Sequence, residues 1–366
     1  MALLGARIAL FGLSALAVLT LHGYFYADGN LQAMQKHAHE GVFSNGKTLH
    51  HVYSGYHVVD KLLAMSVSFW DPVCHESRVA KLLSTTLSAT LQSLGVFAMV
   101  ESLRNGNRSI MLRWAPVQVF AWQYIGAAIF VPIYFVVELE SHFTDKATDP
   151  AVPYLQAKSL LPASILTVMH LFRMVYFPPG NITSSQHQAF LAVWQLAPLF
   201  CYCALSAIAN YLSSGKGDTV TRARNADVPW VKATYAVFGL FSALVHLGVQ
   251  WTLATSADPG VSHSAAYVPR LDKLWQADAA ARVYIEETTF FLQWDYVIIV
   301  AASAVYAVAI LEGVYGRFAV GARAALFLAT CATCHVGSAG LVYAAVLSVR
   351  EDHLRGQFAK KQEKAR

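Results

Sequence analysis

The chain has 366 residues, 56% of them hydrophobic and only 13% charged, about half the share in a soluble globular protein, which runs near 25%. With a mean hydropathy of +0.42, that balance excludes a soluble enzyme and points to a chain solvated by lipid. A net charge of +5 gives no reason to expect nucleic acid as a partner.

A membrane helix needs about 20 apolar residues. That ruler finds segments near residues 3–26, 80–100, 115–138, 155–177, 188–212, 231–254, 290–314 and 322–348. They predict an all-α, polytopic transmembrane helical bundle of about eight spans, one integral membrane domain over residues 1–366. The first segment has a single early charge, Arg7, and no small-x-small cleavage site after it, so it is expected to stay as a span. Residues 53–75 are apolar but carry His57, Asp60, Lys61 and Asp71, which predicts a helix packed among the spans. Residues 256–287 mix Pro, Gly and charge and read as a loop or surface helix. Pro132, Pro162 and Pro198 fall inside spans, which membrane helices tolerate, often beside a cavity. With both termini cytosolic, the Lys and Arg divide 14 inside to 13 outside. The basic tail, 349–366, breaks the tie toward the cytosol, and the sequons at Asn107 and Asn181 then both fall in cytosolic loops. Five cysteines, Cys74, Cys201, Cys203, Cys331 and Cys334, mostly lie inside apolar segments and read as small buried hydrophobes.

Candidate chemistry lies in polar residues that a bilayer would exclude. Tyr53, Tyr56, His57 and Asp60 stand at i, i+3, i+4 and i+7 and form one polar stripe if the stretch is helical; burial there would raise the pKa of Asp60. Glu101, Arg104 and Asn107 lie three apart, so Arg104 can hold Glu101 ionised. Gln123, Tyr134 and Glu138 occupy the third span, and Trp194 and Gln195 the fifth. Amides in such spans commonly bond between helices. His246 reads as a core histidine. Asp295, beside Trp294, enters the seventh span, where an acid costs about 2.5–3.5 kcal/mol at the helix centre and so defaults to function. Cys331-x-x-Cys334-His335 has the haem-attachment pattern, but in mid-span the attachment machinery could hardly reach it. The histidines of the first loop (His37, His39, His50, His51 and His57) do not assemble the boxes of a di-iron enzyme. No metal and no cofactor is expected.

In order along the chain, Tyr53-x-x-Tyr56-x-x-x-Asp60, Ser68-Phe69-Trp70-x-Pro72, Glu101-Ser102-x-Arg104-x-x-Asn107, Gln123 leading to Pro132-x-Tyr134, Trp194-Gln195-x-x-Pro198, His246 and Leu292-Gln293-x-Asp295 resemble the fungal membrane-bound terpene cyclases that act on prenylated polyketides and phenols. The resemblance covers most of the chain. It implies a cation-driven cyclisation of a farnesyl or epoxyfarnesyl side chain, begun by protonating an epoxide or terminal alkene. The implied acids are Asp60, Glu101 and Asp295, without a choice among them. Tyr53, Tyr56, His57, Arg104, Asn107, Gln123, Tyr134, Trp194, Gln195, His246 and Trp294 are the candidate substrate-binding residues. Asp71 stands where an apolar residue is expected, and the resemblance gives it no role.

The chemistry agrees, since protonating an alkene needs an acid shielded from water and the carbocation can rest on aromatic faces. The implied partner is a lipophilic prenylated small molecule, the implied state a monomer in the endoplasmic reticulum membrane. Two enzyme-free readings compete: a proton-coupled transporter with the three acids as relay, lowered by the lack of a sequence repeat, and a scaffold. A sterol isomerase of the emopamil-binding type would share the buried acid and the aromatics.

Overall fold

The computed structural model describes residues 2–27, 29–106, 109–143, 149–214, 225–271 and 284–364. Among them the regular structure is helical. The first span, α1 (Leu3–Ala27), contains a π turn at Val18–Gly23. Two shorter helices follow, α2 (Asn30–Glu40) and α3 (His57–His75), before α4 (Arg78–Leu103), which starts where Ser77 accepts a hydrogen bond from the Ala80 N–H. Next come α5 (Ala115–Ile125) and α6 (Ala127–Phe143), then α7 (Tyr154–Tyr176) with a π turn at Ile165–Met169 just after Pro162. A capping box of Thr183 and Gln186 opens α8 (Ser184–Trp194), and α9 (Ala197–Ser214) leaves it at 66° beside Pro198. The chain continues with α10 (Val228–Thr255), a short α11 (His263–Tyr267), α12 (Tyr284–Tyr315), α13 (Val320–Gly337) and α14 (Ala339–Lys364). Among the described residues, α1, α4, α7, α10, α12 and α13 are each long and apolar enough to cross a membrane, and the α8–α9 pair makes a seventh if it counts as one bent span. α4 is the hub, buried over nearly its whole length.

One expected span is a hairpin instead. Residues 115–138 do not run straight through, because Gly126 takes φ +117°, a conformation that costs a β-carbon-bearing residue dearly, and the chain doubles back. α5 passes Val119 against Gly95 of α4 and ends with the Ile125 carbonyl against the His22 imidazole. α6 then retraces α1: Ser14 Oγ donates to the Ile129 carbonyl at 2.9 Å, and Arg7 pairs with Glu140. Residues 322–348 fold back as well, at Ser338 with φ +96°. The returning α14 slides so close to its neighbours that a Cβ on Gly340 would stand 2.5 Å from Ser242 Oγ.

These two hairpins change which loops share a side. One face gathers Arg7 with Glu140, Asn105 with Asp149, the Val152 N–H on Asp227, and Lys232 on Asp352; both described chain ends lie there. The opposite face joins His50 to Ser185, Gln188 to the Thr48 carbonyl, and Tyr284 to the Ser68 carbonyl. Asn181, in the loop just before α8, therefore lies on the face opposite the chain ends, a correction to the expectation that it shares their side. Asn107 lies outside the described residues. The near tie in positive charge also resolves: of the described Lys and Arg, twelve fall toward the terminal face and seven toward the other. By the positive-inside rule that bias makes a cytosolic terminal face the expected orientation. In sealed microsomes, a C-terminal epitope is expected to be cut by added protease, while a cysteine introduced by Asn181→Cys resists an impermeant thiol reagent until detergent is added. Labelling of that cysteine in intact vesicles would refute the orientation.

Candidate active site

A cavity of 520 Å3 opens on the face opposite the chain ends, among α1, α3, α4, α5, α8 and α12. Its volume is that of a small-molecule site, roughly 300–1,000 Å3. Tyr26, Leu62 and Ile125 at its rim are exposed, whereas Trp122, Trp194, Phe291 and Asp295 line its interior. The walls are aromatic. Phe69 stands between Trp70 and Phe291 at 5.0 and 5.5 Å, Phe25 packs edge-on to Phe291 at 5.4 Å, and Trp70 meets Trp194 at 5.3 Å, nearly perpendicular. Edge-to-face packing of this kind leaves some ring faces free to meet a cation.

Among the described residues Asp295 is the single carboxylic acid of the lining. It sits one helical turn after Phe291 on α12, so both point the same way. One carboxyl oxygen accepts the Ala128 N–H at 2.7 Å, a donor freed because α6 starts right after the Gly126 turn and its first N–H groups lack helical partners. Among the described residues no cation pairs with Asp295. The Oε1 of Gln123, the indole nitrogens of Trp122 and Trp194, and the Tyr124 hydroxyl are shielded from solvent and make no hydrogen bond within the protein, which leaves them for a polar part of a ligand.

The three candidate acids do not meet. α3 begins only at His57, because Gly55 has φ +80° and Tyr56 is extended; the expected stripe of Tyr53, Tyr56, His57 and Asp60 therefore does not form, and Tyr56 and His57 face outward. Asp60 instead holds the entry turn: its Oδ1 accepts from Ser54 N–H at 2.6 Å, Tyr53 N–H at 3.0 Å and the Ser54 hydroxyl at 2.9 Å, and its Oδ2 from Gly55 N–H at 3.0 Å. Those donors, the Ser54 amide foremost, outweigh burial and hold its pKa below the ordinary 3.8, opposite to the rise expected from its apolar surroundings. Because the folded value is depressed, this acid stabilises the turn above about pH 3.8 and stops doing so as pH falls through its lower folded value. Thermal midpoints of wild type and Asp60→Asn should thus differ by a constant amount at neutral pH and converge in acid. A gap that widens in acid would contradict the assignment.

Glu101 lies at the terminal end of α4 inside a buried ionic network. Arg104 Nε donates to it at 2.9 Å, Arg350 reaches both Glu101 and Glu138, and His142 Nε2 stands 2.9 Å from its second oxygen. Arg104 also grips Glu351 at 2.5 Å and the Pro150 carbonyl at 2.7 Å, and Tyr343 donates to Glu138 at 2.6 Å. Glu101, Glu138 and His142 are close enough to share a metal ion, but the Arg350 guanidinium already bridges the two acids.

The other expected residues scatter. Gln123 and Trp194 line the cavity; Tyr134 stands behind it, its ring 5.6 Å from that of Trp122. Gln195 is buried next to Trp194 but outside the lining, and Trp294 is likewise absent from it. His246 is bonded to Thr86, the His335 carbonyl and Gln250, the core histidine expected. Asn107 lies outside the described residues. Phe69 and Trp70 stood in the Ser68-Phe69-Trp70-x-Pro72 motif without a role assigned to them, and Phe25, Trp122, Tyr124 and Phe291 were not singled out. Phe291, four residues before Asp295, was within reach of helical spacing; the others needed the hairpin and the packing of α3.

A CtvD-domain profile matches residues 6–354. The chain belongs to the CtvD-domain family. Among its curated relatives, terpene cyclase DEP1 of Fusarium langsethiae is 27% identical over 321 residues, 84% of this chain and 86% of that protein. Terpene cyclase ascI of Acremonium egyptiacum is 26% identical, covering 85% of this chain and 81% of its own. Terpene cyclase ctvD of Aspergillus terreus is 22% identical over 78% and 81%. No solved structure matches. The family resemblance expected from the ordered motifs is borne out, and this CtvD-domain chain is an enzyme of the terpene cyclase class.

Proposed function

We propose that the protein cyclises a farnesyl-type side chain carried on a prenylated polyketide or phenol, and that Asp295 donates the proton that starts the reaction. The supporting observation is an acid with no cation beside it in a cavity whose other walls are mostly aromatic and aliphatic. General acids work where geometry puts the carboxyl on the substrate and water is kept away. Asp60 and Glu101 do not fit the donor's part, since each is surrounded by groups that favour the anion; we assign them to positioning the entry turn and the terminal end of α4.

For an epoxide, transfer of the Asp295 proton to the ring oxygen breaks one C–O bond and leaves a hydroxyl. The neighbouring double bonds then close onto the cation in turn, each forming a C–C bond. Loss of one proton from the last cation, back to the Asp295 carboxylate, ends the sequence with an isomer of the substrate. A terminal alkene follows the same course with protonation at carbon. Each cation–aromatic contact is worth about 2 kcal/mol when desolvated, so Trp70, Trp194, Phe69 and Phe291 are suited to guide the charge. Among the described residues the lining holds one carboxylate, and no acid cluster for a metal–diphosphate group is found there. Tyr26, Leu62 and Ile125 at the mouth suit a substrate arriving from lipid in the endoplasmic reticulum membrane.

The test is expression in a host fed farnesylated and epoxyfarnesylated phenols, with products identified by mass and NMR. An isomeric cyclic product from one of these classes is expected. Turnover of a sterol alkene instead, with a shifted double bond and no new ring, would replace this reading with a sterol isomerase.

A further inference from the structure

We propose that Asp71, His75 and His187 form a binding site for a divalent transition metal of the zinc class, separate from the cavity. Asp71 and His75 lie one turn apart at the end of α3, and His187 lies in the first turn of α8, 112 residues beyond His75. Their ligand atoms all fall within 4.8 Å of one another. His75 Nε2 is 3.0 Å from His187 Nδ1 and 3.7 Å from Asp71 Oδ1. A tetrahedral ion bound at 2.0–2.1 Å sets its ligands about 3.3 Å apart, so the two measured separations bracket what such an ion needs.

Three further observations point to a ligand rather than to three adjacent side chains. Asp71 Oδ1 is shielded from solvent, on a side chain only 3% exposed, and accepts no hydrogen bond. A carboxylate oxygen in that condition is costly unless a cation meets it. His187 Nε2 is 2.8 Å from the Val175 carbonyl, which makes that nitrogen the N–H and leaves the Nδ1 lone pair directed at the cluster. A backbone carbonyl fixing the tautomer in this way is the usual support of a metal-ligating histidine. Lys47 Nζ, 3.0 Å from Asp71 Oδ2, orients the carboxylate from its far side and leaves Oδ1 for the ion.

Binding needs no net proton release. His75, which donates Nε2–H to His187 without the ion, moves that proton to Nδ1 and offers the Nε2 lone pair. Its side chain is 37% exposed, which gives the ion an aqueous route in and leaves a fourth position for water. The ion would staple α3 to α8, and these helices carry Trp70 and Trp194, two walls of the cavity. No local spacing reveals this set, because it joins two segments of the chain 112 residues apart.

The test uses the full-length protein in detergent, purified through a tag without histidine, incubated with zinc and dialysed. One equivalent of zinc per chain is expected in the wild type and none in His75→Ala or Asp71→Asn, and cobalt in place of zinc should give the visible absorption of a tetrahedral site. Zinc should also raise the thermal midpoint of the wild type and leave that of His75→Ala unchanged. Since His75 is partly exposed, its loss leaves the fold standing; the apo midpoint of that variant checks this. Wild type that retains no zinc, zinc retained equally by both variants, or an equal rise in midpoint in wild type and His75→Ala would each overturn the proposal.

Discussion

Asp295→Asn is expected to abolish cyclisation while the protein inserts and folds normally. The substitution keeps the size of the side chain, and the amide oxygen can still accept the Ala128 N–H, so the packing of α12 against the α5–α6 turn survives. What disappears is the proton. General acid catalysis contributes about 10² to 10⁴ in rate, and a loss within that range is expected because the amide that replaces the carboxyl has no acidic proton to give. Product formed per folded molecule is the measurement, with size-exclusion profile and thermal midpoint as controls. Asp60→Asn and Glu101→Gln, treated alike, should keep much of the wild-type rate per folded molecule while losing stability. A fully active Asp295→Asn would sink the mechanism, and full loss in Glu101→Gln with an unchanged midpoint would move the chemistry to the ionic network.

Arg350→Met should have the largest effect on stability. Arg350 is wholly buried and bridges Glu101 and Glu138 while donating to the Tyr306 hydroxyl at 3.0 Å. Taking away one partner of a buried ion pair costs about 3–5 kcal/mol, because the remaining charge cannot reach water, and here two acids are left. Little folded protein is expected in detergent extracts. Glu138→Gln combined with Arg350→Met should recover part of it, since Glu101 keeps Arg104 and His142 as neighbours. A single variant as stable as wild type would show that the network is not what holds α4, α6 and α14 together.

Hydropathy located the helices well, because apolar length is a local property that one segment carries by itself. It did not locate the turns at Gly126 and Ser338. Both legs of each hairpin are apolar, so a window of 20 residues reads 115–138 as one crossing, and every loop from there to the second turn is assigned to the wrong side. Asp295 was legible for the opposite reason: a lone acid in an apolar run stands out without knowledge of its neighbours. Glu101 and Arg104 were read as a local pair, but their strongest partners, Arg350 and Glu351, stand some 250 positions away in what looked like an exposed basic tail. The i, i+3, i+4, i+7 spacing of Tyr53 to Asp60 makes a stripe only where helix runs through Gly55, and the φ of +80° there ends it. The aromatic cavity was the least legible part, since it draws on segments whose proximity depends on the first hairpin.

The distance in sequence between Glu101 and Arg350 also sets an order of events during synthesis. Glu101 and Glu138 reach the bilayer long before the ribosome has made the guanidinium that will bridge them. In the interval Arg104 and His142 are the groups at hand to shield Glu101, and Glu138 must wait protonated or near the interface. α14 is therefore the last piece of the bundle to seat, and its arrival converts a loosely held set of helices into a locked one. A chain stalled before Arg350 would lack the guanidinium that bridges Glu101 and Glu138.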